Sequence, residues 1–310
     1  MMPAPMLQPP LVTVMMAVYD GDRLTWLSEA VESILRQTYT NFEFLIVTDG
    51  PLNRELLQQL VRYQSADKRV NVATLQKKHN LANALNYAIS AARGEYLIRM
   101  DADDISTPNR IQTLVEFMQK HPTIDVAGSF VAEFQDGQPV RLGLIRYPCQ
   151  HDEMRRMALR RNPLAHASAI FRRAVFDENQ RYPIYSPTNQ DTILWLTGFV
   201  KGWRFANVPE VLYHVRVSPS MVGRRRGWRK AWSDFVDRNR VILDLNGGLR
   251  DMMVAVCMLC VQLLPRSIYL IVRKRSLYRC RFQSADNFCD WGTVLRGRSD
   301  AITAERPHSP

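Results

Sequence analysis

The feature that most constrains this 310-residue chain is a regular alternation of strand-like and helix-like segments over its first third. Apolar runs of strand length recur at residues 12–18, 42–47, 70–75 and 96–100. Between them, apolar residues spaced three or four positions apart predict amphipathic helices, the first of them capped by Thr25. Such a rhythm predicts an α/β fold, a parallel sheet with helices on both faces.

Acidic residues follow two of these predicted strands. Asp49 comes directly after the second strand, and Asp101, Asp103 and Asp104 follow the fourth. Sheets of this kind bind ligands beyond the carboxyl ends of their strands. We therefore expect Asp49 and the later carboxylates to meet at one edge of the sheet.

The sequence Asp101-Ala102-Asp103-Asp104 places three carboxylates in four positions. Their mutual repulsion is costly unless a cation or strong hydrogen-bond donors offset it. Mg²⁺ or Mn²⁺ prefers oxygen ligands and leaves room for phosphate oxygens, so the cluster predicts a metal site that handles a nucleotide diphosphate. The alternative is that these acids only precede a helix opening near Thr107 and Pro108, where negative charge is favourable.

A hairpin or short mixed-sheet element is predicted after this cluster. Residues 126–134 and 140–145 are apolar segments on either side of a turn that contains Asp136 and Gly137. The Asp-Gly pair is typical of a tight turn between antiparallel strands.

The basic character of the chain, a net charge of +11, is concentrated in residues 224–281. This segment carries 14 Lys and Arg against 4 Asp and Glu, whereas residues 1–223 carry 24 against 22. Its apolar run at 252–264, interrupted by Pro265 and Arg266, is shorter than the roughly 20 residues that a spanning helix needs. It predicts an interfacial or re-entrant helix on an anionic membrane surface, and the alternative is a buried helix packed on the main domain.

Two further features bear on location and partners. The five cysteines are few and scattered, and Met1–Pro10 lacks the basic residues of a secretory signal. We therefore expect a cytoplasmic protein, bound peripherally to the inner face of the plasma membrane. The basic segment lacks interleaved aromatic residues and a helix-turn-helix pattern, so no nucleic acid partner is expected.

Several blocks of the sequence, in the right order over residues 11–226, resemble family 2 glycosyltransferases. The resemblance rests on residues 14–21, 33–39, 42–47 and 94–105. It implies the GT-A fold, a Rossmann-like and mostly parallel sheet. The implied organisation is a catalytic domain at 1–223, with a nucleotide-binding half at 11–104 and an acceptor half at 105–223, then a helical membrane-associating segment at 224–281 and a partly disordered tail at 282–310.

The same resemblance implies roles for residues at the ends of the predicted strands. Val18, Tyr19 and Asp49 would line the nucleoside pocket, with Asp49 accepting a hydrogen bond from the base. Asp103 would contact the metal, and Asp101 would lie nearer the ribose or assist in metal binding. The alternative for Asp49 is a turn-forming residue beside Gly50.

The family also carries a later acidic residue that acts as general base, and Asp191 occupies that position here. In a single displacement, Asp191 would take the proton from an acceptor hydroxyl while that oxygen attacks the anomeric carbon, and the configuration would invert. The alternative is that Asp191 caps the helix that follows it. The resemblance favours a UDP-sugar donor, a lipid-linked saccharide acceptor, and one sugar added per binding event in cell-surface polysaccharide synthesis.

Three other positions match family blocks. His166 would lie beside the donor or acceptor sugar, or else be a packed, hydrogen-bonded histidine. Arg224 and Arg225 resemble a double-Arg feature of a capsule and exopolysaccharide subgroup that could clamp phosphate. Ser218 stands where many relatives have a metal- or diphosphate-binding His, so no ligand is expected from that position.

Two rival functions were weighed. A haloacid-dehalogenase-like phosphatase also has a D-x-D after a strand, but it needs a Thr or similar residue where Ile105 stands. A catalytically silent relative would bind a nucleotide sugar only, and the joint presence of Asp49, Asp103 and Asp191 argues against it.

Overall fold

The computed structural model of the chain describes residues 8–136, 142–176, 180–186, 188–218 and 227–264. The predicted domain boundary at 223 and everything after residue 264, including the tail at 282–310, lie outside the described residues.

The first third of the chain alternates strand and helix as the sequence predicts. Each strand is short and buried, and each helix packs its apolar stripe against the sheet. In order the elements are β1 (Val12–Val18), α1 (Leu24–Leu35), β2 (Phe42–Thr48), α2 (Arg54–Ala66), β3 (Val70–Thr74), α3 (Leu81–Ala91) and β4 (Tyr96–Asp101).

The remainder of the chain is less regular. Two short 3₁₀ helices flank one of its strands, at His166–Ser168 and Arg173–Phe176. Its other elements are β5 (Ile105–Ser106), α4 (Arg110–Lys120), β6 (Val126–Phe134), β7 (Gly143–Ile145), α5 (His151–Ala158), β8 (Ile170–Arg172), α6 (Gln190–Val200), β9 (Phe205–Arg216), α7 (Trp228–Asp244) and α8 (Leu249–Leu263).

The strands form one sheet in the order β3-β2-β1-β4-β8-β6-β9-β5, with β7 paired to β6. Strands β1 to β4 are parallel to one another, whereas β8 is antiparallel to both β4 and β6. The long strands β6 and β9 are again parallel, whereas the short strands β5 and β7 pair antiparallel with β9 and β6. The sheet is therefore mixed, with most of its paired residues in parallel strands as predicted. Strands of two or three residues, such as β5 and β8, join the sheet without the helical crossover that enforces parallel pairing.

Helices cover both faces of the sheet, as predicted. One apolar cluster holds the buried residues of α1, α2 and α4, among them Leu27, Leu60 and Leu114. A second cluster holds those of α3, α5 and α6, among them Leu85 and Trp195. The predicted hairpin is also present, because β6 and β7 pair antiparallel.

Two predicted helix starts are wrong. Thr25 lies inside α1, which begins at Leu24 and has no side-chain cap. Thr107 and Pro108 precede α4, because the Thr107 N–H and hydroxyl both donate to the Leu212 carbonyl beside β5. That tertiary contact takes the groups that would otherwise cap a helix.

Helices α7 and α8 pack on each other and follow the gap at 219–226. Lys230 and Asp237 of α7 hold the Asn189 amide at the start of α6, at 2.6 Å each. In the described part of the chain, no helix combines the length and apolarity needed to cross a bilayer.

Candidate active site

The ends of β2, β1 and β4 lie side by side at the carboxyl edge of the sheet. Val18 is in register with Thr48, and Ala17 is in register with Asp101. Since neighbouring strands are about 4.8 Å apart, this register brings Asp49 and Asp101 to either side of the end of β1. The predicted meeting of these carboxylates is confirmed.

Asp49 lies in a tight turn against the loop that follows β3. Its N–H donates to the Val18 carbonyl at 2.7 Å, and its Oδ1 accepts from the His79 N–H at 2.7 Å. Gly50 follows with φ +91°, and a Cβ there would lie 2.8 Å from the Lys78 nitrogen. The turn thus needs glycine, and the His79 N–H holds one of the two carboxylate oxygens of Asp49.

The acidic cluster after β4 gathers three carboxylates. One oxygen each from Asp101, Asp103 and Asp104 lies within 4.8 Å of the others. Asp104 is buried, and burial, followed by the charges of Asp101 and Asp103, raises its pKa well above the ordinary range. Burial and the neighbouring carboxylates therefore favour the neutral form of Asp104.

Two buried side chains hold Asp101. Arg99 Nη2 contacts Asp101 Oδ1 at 2.5 Å, and the Asp101 N–H donates to the Tyr213 hydroxyl at 3.0 Å. Arg99 is two residues earlier on β4, while Tyr213 comes from β9, 112 residues away. The cluster is fixed by the sheet itself.

Arg216, at the end of β9, braces the rest of the cluster. Its N–H donates to Asp104 Oδ1 and its Nε donates to the Asp103 carbonyl, both at 2.7 Å. Its terminal nitrogens pair with Glu29 of α1 and with Asp136. Arg216 therefore holds the loop that carries Asp103 and Asp104, while its guanidinium charge is paired with Glu29 and Asp136.

His166 lies in a 3₁₀ helix behind Arg99. Its Nε2 is 2.8 Å from the Tyr182 hydroxyl, and burial, together with the charge of Arg99, lowers the pKa of the imidazole well below its ordinary value. The ring also packs edge-on against Trp195. The geometry is that of a packed, hydrogen-bonded neutral histidine.

Tyr182 is a buried tyrosine whose hydroxyl is hydrogen-bonded to His166. Burial raises the pKa of its phenol, the charge of Arg99 lowers it, and the charges of Asp191 and Asp101 raise it. The Asn86 amide fixes Tyr182 through two hydrogen bonds to its backbone.

Asp191 stands in the first turn of α6 and is only partly buried. Its Oδ2 accepts from Asn162 Nδ2 at 2.8 Å, and the Thr192 hydroxyl donates to Asn162 Oδ1 at 2.9 Å. Thr192 thereby orients the amide whose N–H₂ faces the carboxylate. Asp191 lies in the wall of a cavity of about 470 Å³ between α6 and the pair α7–α8.

The cluster of Asp101, Asp103 and Asp104 fits a hard divalent cation. Its donors are carboxylate oxygens close enough to share one ion. Burial raises the pKa of Asp104, and the charges of Asp101 and Asp103, which such an ion would offset, raise it further. Arg99 forms an ion pair with Asp101.

The predicted site residues fall into three groups. Val18, Tyr19, Asp49, Asp101 and Asp103 lie at one edge of the sheet. His166 is hydrogen-bonded to Tyr182, and Asp191 lies in the wall of the cavity beside α7 and α8. Ser218 is buried beyond β9. Arg224 and Arg225 lie outside the described residues.

Sequence reasoning missed the residues that brace this site, namely Arg99, Asn162, Tyr182, Tyr213 and Arg216. A charged residue inside an apolar strand, as Arg99 is, was the one available signal, since a buried charge requires a partner. The others act through contacts between distant parts of the chain.

Comparison with known sequences and structures agrees with this geometry. The profile of the family described as "Glycosyl transferase family 2" matches residues 13–179. An amylovoran biosynthesis glycosyltransferase of Erwinia amylovora is 28% identical over 82% of this chain and 95% of its own. A galactosyltransferase of Escherichia coli, named for UDP-Gal and α-D-GlcNAc-diphosphoundecaprenol, is 27% identical over 87% of this chain and 98% of its own.

A solved structure shares the architecture. The mannosyltransferase PcManGT of Pyrobaculum calidifontis, in complex with GDP-Man and Mn²⁺, superposes with a TM-score of 0.59 over 94% of this chain and 81% of that chain. At 16% sequence identity, this likeness shows the fold alone, a mixed α/β arrangement of the GT-A type.

Proposed function

The chain belongs to glycosyl transferase family 2, and from that premise we propose that it moves one sugar from a nucleotide diphosphate donor to a lipid-linked saccharide, with inversion and with a divalent cation. One observation carries the proposal. Asp49 and the acidic cluster follow neighbouring parallel strands at their carboxyl ends, and Asp191 lies in the wall of a cavity at the start of α6.

The donor half of the site is assigned to the edge beside β1. Asp49 Oδ2 would accept an N–H from the base, and Tyr19 would cover the nucleoside. Asp101 and Asp103, braced by Arg99 and Arg216, would hold Mg²⁺ or Mn²⁺. When bound, such a cation would offset the negative charge of the donor diphosphate.

Asp191 is assigned as the general base. It removes the proton from the acceptor hydroxyl as that oxygen forms its bond to the anomeric carbon, and the nucleoside diphosphate leaves with the electrons of the broken C–O bond. Asn162 holds the carboxylate toward the cavity during this step. A single displacement inverts the anomeric centre.

The test replaces Asp191 with Asn, which keeps the shape of the side chain and removes the base. Transfer should slow by a factor of about 10²–10⁴, while UDP binding in the presence of Mn²⁺ persists. The measurement is initial rate on a prenyl-diphosphate-linked sugar, with Asp152→Asn, an exposed position on α5, as the matched control.

Equal transfer rates for Asp191→Asn and the parent would remove the base assignment. A parent protein that binds UDP-sugars without turning any over would instead favour the catalytically silent alternative. A thermal-shift panel of UDP-, GDP- and dTDP-sugars identifies the donor, because only a bound donor raises the melting temperature. We expect the UDP-sugars to give the response, in line with the donor named for the Escherichia coli relative.

A membrane location is supported by an apolar surface on α7 and α8. Of the sixteen large apolar side chains exposed in the described part of the chain, nine lie on these two helices. Trp228, Trp232, Val236 and Leu243 share one face of α7, with the two indoles stacked 5.7 Å apart. Indoles of this kind are enriched at membrane–water interfaces.

Charge complements this surface. In the sequence, residues 265–281 directly after α8 contain six Lys and Arg and no acidic residue. Basic residues beside an apolar helix favour anionic lipid, each by about 1 kcal/mol near the surface. We therefore propose peripheral binding at the cytoplasmic face of the plasma membrane, where a lipid-linked acceptor is presented.

Vesicle binding tests this location. The full chain should sediment with phosphatidylglycerol-containing vesicles and much less with pure phosphatidylcholine. Replacing Trp228 and Trp232 with Ala should weaken binding at least tenfold, because burial of one large apolar side chain is worth about 1.5–3 kcal/mol. Leu57→Ala with Val61→Ala, two exposed apolar positions on α2, is the matched control. Equal binding by the two double variants would contradict the proposal.

A further inference from the structure

Two neighbouring cavities lie beneath α8 and share a wall. The first, of about 470 Å³, contains Asp191. The second, of about 860 Å³, lies between α5 and α8. Both are lined by Arg160, Arg161 and Met258, so they form successive parts of one groove that begins at the candidate base.

The chemistry of the first cavity suits a saccharide. Its lining is mostly polar and includes amides, carboxylates, hydroxyls and basic side chains, with Phe235 as an aromatic face. Its volume is in the range of about 300–1,000 Å³ typical of small-molecule sites. Gln262 lines it, and the Gln262 Oε1 is buried without a hydrogen-bond partner among the described residues. A sugar hydroxyl is the kind of donor that would satisfy this oxygen.

The second cavity has a different chemistry. Its lining includes four apolar side chains, which are Met157, Leu159, Val254 and Met258. Arg156, Arg160 and Arg161 accompany them, against Glu153 and Asp251. Arg160 uses its Nε to contact Asp251 at 3.0 Å. Neither Arg156 nor Arg161 forms an ion pair with any residue that the structure describes.

A residue next to the shared wall is hydrogen-bonded to Asp191, the candidate base. Asn162, which donates to Asp191, is the next residue after Arg161. Arg160 and Arg161 line the same cavity as Asp191, so an anion held by these arginines would share that cavity with the carboxylate. Guanidinium groups bind diphosphate oxygens through paired N–H donors.

We propose that this groove is the acceptor site and that it takes a prenyl-diphosphate-linked saccharide. The saccharide lies in the first cavity with a hydroxyl at Asp191, the diphosphate lies on Arg156, Arg160 and Arg161, and the prenyl chain lies along the apolar lining of the second cavity. This inference rests on the proposed function, and it names the residues that select the acceptor.

Binding of farnesyl diphosphate to the full chain tests the groove. UDP and Mn²⁺ are present at saturating concentration so that the donor site is occupied. Calorimetry should show binding by the parent and about tenfold weaker binding for each of Arg156→Gln and Arg161→Gln, the effect of losing one charged hydrogen-bonding partner. Arg54→Gln with Arg62→Gln, two exposed arginines on α2, is the control and should bind as the parent does.

Two further probes separate the parts of the groove. Farnesol should bind weakly because it lacks the diphosphate, and inorganic pyrophosphate should bind weakly because it lacks the chain. Val254→Ser should weaken the binding of farnesyl diphosphate and leave that of pyrophosphate unchanged.

Equal affinity of the parent and both arginine variants for farnesyl diphosphate, or no binding by the parent, would overturn the proposal. Pyrophosphate binding as tight as that of farnesyl diphosphate would overturn the apolar part of it. The UDP titration in the presence of Mn²⁺ reports on the proposed function separately, because donor binding does not depend on this groove being filled.

Discussion

At the scale of single residues, the site depends on buried arginine side chains that hold its carboxylates in place. Arg216 is almost fully buried and contacts four acidic residues. It donates hydrogen bonds to the Asp104 carboxylate and the Asp103 carbonyl, and it forms ion pairs with Glu29 and Asp136. Its own charge is matched by Glu29 and Asp136, both partly exposed. The cluster therefore keeps its negative charge while its loop is fixed.

Replacing Arg216 with Met should destabilise the fold and weaken cation binding. The expected loss of unfolding free energy is about 1–3 kcal/mol, below the range for fully buried pairs because Glu29 and Asp136 can regain water. Urea unfolding measures the loss, and a Mn²⁺ titration should show a higher midpoint. Arg240→Met, whose exposed guanidinium pairs with the exposed Asp244, is the control and should cost less than about 1 kcal/mol. A loss in Arg240→Met as large as that in Arg216→Met would contradict this prediction.

The buried imidazole of His166 predicts a pH dependence of stability. Its pKa in the folded protein is lowered, whereas the unfolded chain titrates near 6.5. As pH falls below about 6.5, the unfolded state takes up a proton that the folded state does not, so the unfolding free energy decreases by up to about 1.4 kcal/mol per pH unit. Above that pH the contribution is fully present.

Urea unfolding at pH 7.5, 6.5 and 5.5 measures this slope, which should be smaller in His166→Gln than in the parent. A remaining slope is expected, since burial also lowers the pKa of His151. His121→Gln, at an exposed position, is the matched control. An unchanged slope in His166→Gln would show that the imidazole is charged in the fold.

The sequence could predict the places of Asp49, Asp101 and Asp103 because each directly follows a strand of a parallel sheet. It could not predict Tyr182 or Tyr213, because their contacts with the site join residues far apart along the chain. Asp101 and Tyr213, for example, are separated by 112 positions. Such pairs depend on how β9 and the loop before α6 return to the sheet.

At the scale of elements, the apolar periodicity of the sequence could predict the long strands and helices. Strands β1 to β4 and their helices were predicted within a residue or two, since each buries a repeated apolar pattern. Strands β5 and β8 have two and three residues, too few to show any period. Their antiparallel pairing is what makes the sheet mixed.

Helix α6, which carries Asp191, packs closely against neighbouring aromatic rings at Gly198. A Cβ at Gly198 would lie 2.4 Å from the Trp203 ring and 2.7 Å from that of Phe205. Gly198→Ala should therefore destabilise the protein by about 1–3 kcal/mol, although Ala gains about 1 kcal/mol of helix propensity.

Thermal and urea unfolding check the sign of this effect. Thr197→Ala, one position earlier, gains helix propensity without adding volume, so it should be neutral or stabilising. A Gly198→Ala protein as stable as the parent would mean that the two rings move aside at little cost. Transfer activity should fall with stability in Gly198→Ala, because α6 positions the base.

At the scale of the whole molecule, the sheet edge, α6 and the pair α7–α8 each supply one part of the proposed reaction. The donor side belongs to β1–β4, the base to α6, and the acceptor groove to α5 and α8. Two of the parts are joined by Asn189, the residue through which α7 holds the start of α6. Ligand binding at the sheet edge should therefore be detectable as stability of the entire fold.

The last prediction concerns Mn²⁺ and UDP together. At a UDP concentration of about 100 times its dissociation constant, binding adds about 2.7 kcal/mol to the folded state, which raises the melting temperature by several degrees. Removal of the cation with EDTA should abolish most of this shift, because the carboxylates of the cluster then repel the diphosphate. Asp103→Asn should lose the Mn²⁺-dependent part, whereas Asp152→Asn should retain it. A full UDP shift in EDTA, or in Asp103→Asn, would mean that the cluster serves the fold and that the diphosphate is held by other residues.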